Sequence, residues 1–334
     1  MPDLYRVLSI DGGGIRGIIP ARVLIEVEAK LQQRSQNPDA RIHDFFDFIA
    51  GTSTGGILTC IYLCPDPDRP GRPRFDASQA LDLYFERGDE IFDIPVWHRI
   101  KSGLGTGLTD EKYPADGLEE ALEDYLGDLK LAELLGPCLI TSYDLKRRKT
   151  HFFKQHRAAE PNRNFLVRDV ARATSAAPTF FECARVKSDA NISFPLVDGG
   201  VFANNPTLCA YAEVRKQFDK RAADMAILSI GTGEHRKSYA YSEAKDWGLA
   251  GWAKPALEIM MSGVSETVHF QLDQIYDAVG APDQYLRLDA KLPPSTTEMD
   301  NVDAENLAEL REIGAEIAIQ NDARLDAFID LLVP

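Results

Sequence analysis

Basic residues are in the minority. The 334-residue chain sets 37 Lys and Arg against 52 Asp and Glu, a formal charge of −15. That deficit excludes a nucleic-acid-binding protein, which needs clustered cations to displace counterions from a phosphate backbone. It also excludes steady electrostatic attachment to an anionic membrane, though not brief contact with a lipid surface. Cysteine is sparse and odd in number: Cys60, Cys64, Cys138, Cys183 and Cys209, with no C-x-x-C pair. Such a set predicts buried free thiols in a reducing compartment and no disulfide frame. No apolar run approaches the roughly 20 residues of a membrane-spanning helix. The first residues hold no secretory signal, so the expected location is cytoplasmic. There is no H-x-x-x-H, no cysteine pair at zinc spacing and no EF-hand loop, so neither metal nor cofactor is expected. Repeats and low-complexity linkers are missing too, which favours a single domain over 1–334.

What is present is ordinary globular material, 44% hydrophobic and 27% charged, enough to bury a sizeable core. Strand-like and helix-like segments alternate, the pattern of an α/β layer structure. Strands are predicted at Leu4–Ile10, Phe45–Ala50, Cys138–Tyr143, Thr150–Phe153, Phe180–Val186, Phe194–Val197, Met225–Ile230 and Gln284–Leu288. Helices are predicted at Ile18–Arg34, Thr54–Leu63, Ala77–Arg87, Gly117–Leu126 and Pro206–Phe218. A motif-bearing core at about 4–233 precedes a mostly helical portion at about 234–334. Residues 89–109 mix apolar side chains, Trp97 among them, with the glycines of 103–107, and are a candidate lid.

Three motifs carry chemistry. Gly51-Thr52-Ser53-Thr54-Gly55 is a G-x-S-x-G sequence between an apparent strand and an apparent helix. A serine on so sharp a turn needs glycines on both sides, and the turn presents its hydroxyl at a helix N-terminus. Asp11-Gly12-Gly13-Gly14-Ile15-Arg16-Gly17 also joins a strand to a helix. A P-loop would close on Lys-Ser or Lys-Thr, but Ile18 and Ile19 follow. A dinucleotide fingerprint would want an acidic residue ending a second strand about twenty residues on, where this chain is still helix and polar turn. Amides free of side chains can instead point at a developing negative charge. Val197-Asp198-Gly199-Gly200 is either an Asx turn or the proton acceptor that a serine nucleophile requires. On residue chemistry alone a histidine base (His43, His98, His151, His156, His235 or His269) stays open.

These motifs, in this order, resemble the patatin-like phospholipase family: a D-G-G-G-[IV]-[RK]-G loop, a G-x-S-x-G elbow and a D-G-[GA] aspartate. The likeness extends through Phe45–Gly56, Asp169–Pro178, Leu228–Gly233 and Thr296–Asp300. The resemblance implies an α/β three-layer fold, with a mostly parallel central sheet, helices on both faces and a helical C-terminal portion. It implies a lipid acyl hydrolase of the phospholipase A or esterase type, acting without a cofactor on lipid or other acyl esters, at a membrane or micelle surface among other places. It further implies a dyad of Ser53 and Asp198 in place of a triad. Gly51 and Gly55 would form the elbow, and Gly12, Gly13 and Gly14 would supply oxyanion amides. Arg16 would add positive charge or tie the loop down. The alternatives are a Ser-His-Asp esterase of small soluble esters and a storage or binding relative.

Overall fold

The computed structural model describes residues 4–91, 113–234, 238–296 and 298–333; most of the candidate lid, with Trp97, lies outside them, as do His98 and His235. Eight strands form one sheet: β1 (Tyr5–Ile10), β2 (Phe48–Gly51), β3 (Cys138–Asp144), β4 (Lys149–Phe153), β5 (Ala184–Lys187), β6 (Ser193–Asp198), β7 (Met225–Ile230) and β8 (Tyr285–Leu288). Their order is β5-β6-β3-β2-β1-β7-β8, with β4 paired to β3 off this path. The run β3-β2-β1-β7-β8 is parallel, while β4, β5 and β6 join through antiparallel pairs.

Among the described residues nine α-helices have eight or more residues: α1 (Ile18–Ser35), α2 (Thr54–Tyr62), α3 (Ala77–Ile91), α4 (Asp116–Leu126), α5 (Val167–Thr174), α6 (Thr207–Gln217), α7 (Leu249–Ala278), α8 (Ala304–Gln320) and α9 (Asp322–Leu332). Alternation along the strands makes two cores. Val7, Phe48, Ile227 and Tyr285 meet α6 and α7 on one face. Leu8, Ile10, Ile49, Leu228 and Leu286 meet α1, α2, α5 and α8 on the other. Successive side chains of a strand point to opposite faces, so a central strand apolar at every position demands cover on both. The result is a three-layer α/β fold, and β8 brings the C-terminal portion into the same sheet.

Local differences from the sequence expectation have physical causes. Phe45 closes a helical turn, Ile42–Phe45, begun where the Asp44 carboxylate accepts the Arg41 amide, so β2 starts only at Phe48. Phe180 and Phe181 are apolar without being strand: both amides turn back to the Ala177 carbonyl, and β5 begins at Ala184. Helix α5 carries no Ser, Thr, Asp or Asn at its N-cap, which is Leu166, and its eight residues span barely two turns; the apolar spacing of Val167, Val170 and Ala171 is helical but too short to stand out without a starting signal. Among the described residues no helix is long and apolar enough to cross a membrane.

Candidate active site

The parallel strands β1, β2 and β7 end side by side, the usual place for a site in an open α/β sheet. Ser53 follows β2 at the start of α2 with φ 54° and ψ −123°, a conformation L-residues rarely adopt. Its flanking glycines are obligatory. A Cβ on Gly51 would strike the Gly55 carbonyl, and a Cβ on Gly55 would strike the Ile10 carbonyl. The turn is held by hydroxyls. The Ser53 amide donates to Thr174 Oγ1 (2.9 Å), which donates to the Thr141 carbonyl (2.6 Å). Thr52 Oγ1 donates to the Ala203 carbonyl (2.6 Å). The buried N-terminal end of α2 places its positive dipole end behind the serine.

Asp198 ends β6, opposite Ser142 of β3, two residues beyond the level at which Ile140 pairs with Gly51. That register brings the carboxylate to the serine. Asp198 is buried; its amide donates to the Ala176 carbonyl (3.0 Å) and its Oδ1 accepts the Gly200 amide (2.6 Å). Burial pushes its pKa up to about 6, with hydrogen bonding from the Ser53 side chain and the Gly200 amide pulling the other way. Such a carboxylate is a stronger base than a solvated one, and is still ionised at neutral pH.

The glycine loop divides its labour unevenly. Gly12 donates its amide to the Asn204 carbonyl (3.0 Å) and its carbonyl accepts Thr232 Oγ1 (2.6 Å). Its N–H is therefore occupied, which corrects the expectation that Gly12 offers a third oxyanion donor. Gly13 and Gly14 line the cleft, and among the described residues neither amide donates a hydrogen bond. Gly14 has φ +59°, and a Cβ there would hit the Met299 carbonyl, which accepts the Ile15 amide (2.9 Å). Arg16 does not line the cleft. It is buried behind the loop, with its own amide and Nε both on the Gly13 carbonyl at 3.3 Å; burial lowers its pKa to about 10. Its hydrogen bonds are to the loop itself, and its guanidinium does not reach the cleft.

Ser53, Asp198, Gly13 and Gly14 share a mainly apolar cleft whose walls include Ile15, Ile57, Leu83, Tyr84, Leu118, Pro178, Phe180, Phe181, Val201, Met261 and Met299, with Thr54 and Ser175 beside them. Among the described residues no histidine lines it. His156 pairs with Glu213 (3.0 Å), and His269 faces the Tyr285 hydroxyl (3.1 Å). His151 is packed among Phe153, Phe165 and Phe194, where burial lowers its pKa to about 4.

Several supporting residues escaped sequence reasoning. Thr174 left a trace only as part of the segment Asp169–Pro178 that carried the family likeness. Asp11 was read as a loop residue, yet its carboxylate is clasped by Arg287 through Oδ1–Nη1 (3.0 Å) and Oδ2–Nη2 (2.6 Å). The available signal for Arg287 was a charged residue inside the strand-like run Gln284–Leu288.

The family model described as Patatin-like phospholipase matches residues 8–211. Patatin-like protein 2 of rice (Oryza sativa) is 36% identical over 350 residues, covering 97% of this chain and 86% of its own. Patatin-like protein 1 of Arabidopsis thaliana is 34% identical, covering 94% and 81%. A potato (Solanum tuberosum) protein named Probable inactive patatin-3-Kuras 1 is 31% identical, covering 94% and 86%.

Proposed function

The chain belongs to the patatin-like phospholipase family, and on that premise we propose that it hydrolyses lipid acyl esters through an acyl-Ser53 intermediate, with Asp198 as base. Because one relative is named as probably inactive, membership alone does not carry the activity. The observation that supports it is the meeting, in one apolar cleft, of Ser53, buried Asp198 and the unbonded amides of Gly13 and Gly14. The apolar walls take the acyl chain and place its ester carbonyl at the polar end. Ser53 Oγ attacks the carbonyl carbon while Asp198 takes its proton. The oxyanion accepts the Gly13 and Gly14 amides, donors of a kind worth about 3–4 kcal/mol each. Asp198 returns the proton to the leaving alcohol. Water then attacks the acyl ester with Asp198 again as base, and the fatty acid leaves as Ser53 recovers its proton.

Intact mass after reaction with a fluorophosphonate tests the nucleophile. One adduct is expected, located on Ser53 and lost in Ser53→Ala, together with turnover of p-nitrophenyl and phosphatidylcholine esters. Adduct formation elsewhere, or activity in Ser53→Ala, would overturn the reading.

A further inference from the structure

We propose that Arg287 and Asp289, at the end of β8, are positioning residues of the oxyanion hole, an inference that rests on the acyl-hydrolase reading above. A peptide unit is planar and trans, so its C=O and N–H point in opposite directions. Whatever holds the carbonyls of Gly12 and Gly13 therefore aims the amides of Gly13 and Gly14. Thr232 Oγ1 holds the first (2.6 Å) and Arg16 holds the second.

The first holder is braced by Asp289. Its Oδ1 accepts the Gly233 amide (3.0 Å) and its carboxylate lies against Gly231, which fixes the turn bearing Thr232. Its charge, together with that of Glu258, also bears on the buried Arg16 guanidinium. Asp289 is held in turn by Arg287 Nη2 (2.6 Å), and the same guanidinium grips both oxygens of Asp11, on which the glycine loop begins. Ser265 of α7 closes the group, donating to Asp11 Oδ2 (3.1 Å). Arg287 thus bridges two carboxylates behind the loop, with Arg287 and Asp11 nearly inaccessible. None of them lines the cleft. Their effect on the reaction runs through the direction of two N–H bonds.

Arg287→Lys keeps the charge but cannot bridge two carboxylates with a planar fork. In the full chain, with folding checked by circular dichroism, its kcat on a soluble p-nitrophenyl ester should fall about 10–100-fold with KM within about twofold. A trifluoromethyl ketone, whose hemiketal at Ser53 bears an oxyanion, should lose potency in parallel, while binding of the product fatty acid stays unchanged. Asp289→Asn, which keeps the Oδ1 acceptor and loses the charge, should show the same split, and serves should the lysine variant not fold. A folded variant with kcat within twofold of wild type, or equal losses in kcat, KM and fatty-acid binding, would overturn the proposal. A wild-type chain with neither turnover nor a Ser53 adduct would instead remove the reading on which it rests.

Discussion

Asp198 is held at a cost. A carboxylate whose pKa is raised from 3.8 to about 6 by burial stabilises the fold when protonated; that contribution is complete below about pH 4 and is lost as pH rises through 6. At pH 8 the ionised form therefore destabilises the chain by on the order of 3 kcal/mol. Asp198→Asn should abolish hydrolysis and yet melt several degrees above wild type at pH 8, the gain vanishing near pH 4. Calorimetry across that range checks it; a variant melting lower at pH 8 would contradict the account. The same group sets the acid limb of the rate. kcat/KM should fall tenfold per pH unit below about 6, and should hold its position when each of the six histidines is changed to Gln. A limb that moves or disappears with one histidine, His98 and His235 included, would restore the triad.

At the scale of elements, glycine positions that resemble one another in sequence differ sharply in what surrounds them. Gly55 carries α2 directly over the end of β1, and a Cβ there meets the Ile10 carbonyl, which cannot yield without parting the two. Gly55→Ala should cost about 3 kcal/mol or more, read as a fallen melting midpoint or insolubility. Gly263, inside α7, has nothing within 4 Å of its Cβ direction. Gly263→Ala should raise the unfolding free energy by about 0.5–1 kcal/mol, as helix propensity predicts, with activity intact.

The contrast also shows what sequence can carry. The elbow was legible because its geometry is local, α1 because its apolar spacing runs through 18 residues, and β7 because it is a short, almost unbroken apolar run. Gly12 was misread as a donor because its partner, Asn204, arrives from a turn nearly two hundred residues away. Phe180 and Phe181 were misread as strand because an apolar pair that walls a cleft has the composition of an apolar pair in a sheet. Arg287 was passed over because a bidentate grip on Asp11 depends on β7 lying between β1 and β8, which no short-range pattern records.

For the whole molecule, the family match over residues 8–211 contains Ser53, Asp198 and the glycine loop with Arg16 and Asn204, yet not the other groups that brace the loop. Thr232, Arg287, Asp289 and the Met299 carbonyl all come later. A chain cut after residue 233 would keep Thr232 and α6 but lose Arg287, Asp289, Met299, β8 and α7, which covers one face of the sheet beside α6. It should be expressed as insoluble or partly folded material, with no Ser53 adduct, and adding the segment 238–333 as a separate polypeptide should restore little. Soluble, phosphonate-reactive product from the truncated chain would show the brace to be dispensable.

The central place of β1 has a consequence in time. Thr232 and Gly12, joined by one of the bonds that aims the loop, stand 220 residues apart. The first strand leaves the ribosome early but waits, unpaired along one edge, for β7. At 5–20 residues per second that interval is roughly 10–40 s. Contacts so distant form slowly and late. A nascent chain bearing both the serine and the glycine loop therefore lacks the Thr232 bond until β7 and the turn after it have been made, and on the proposed reading it should take up a fluorophosphonate only after that point.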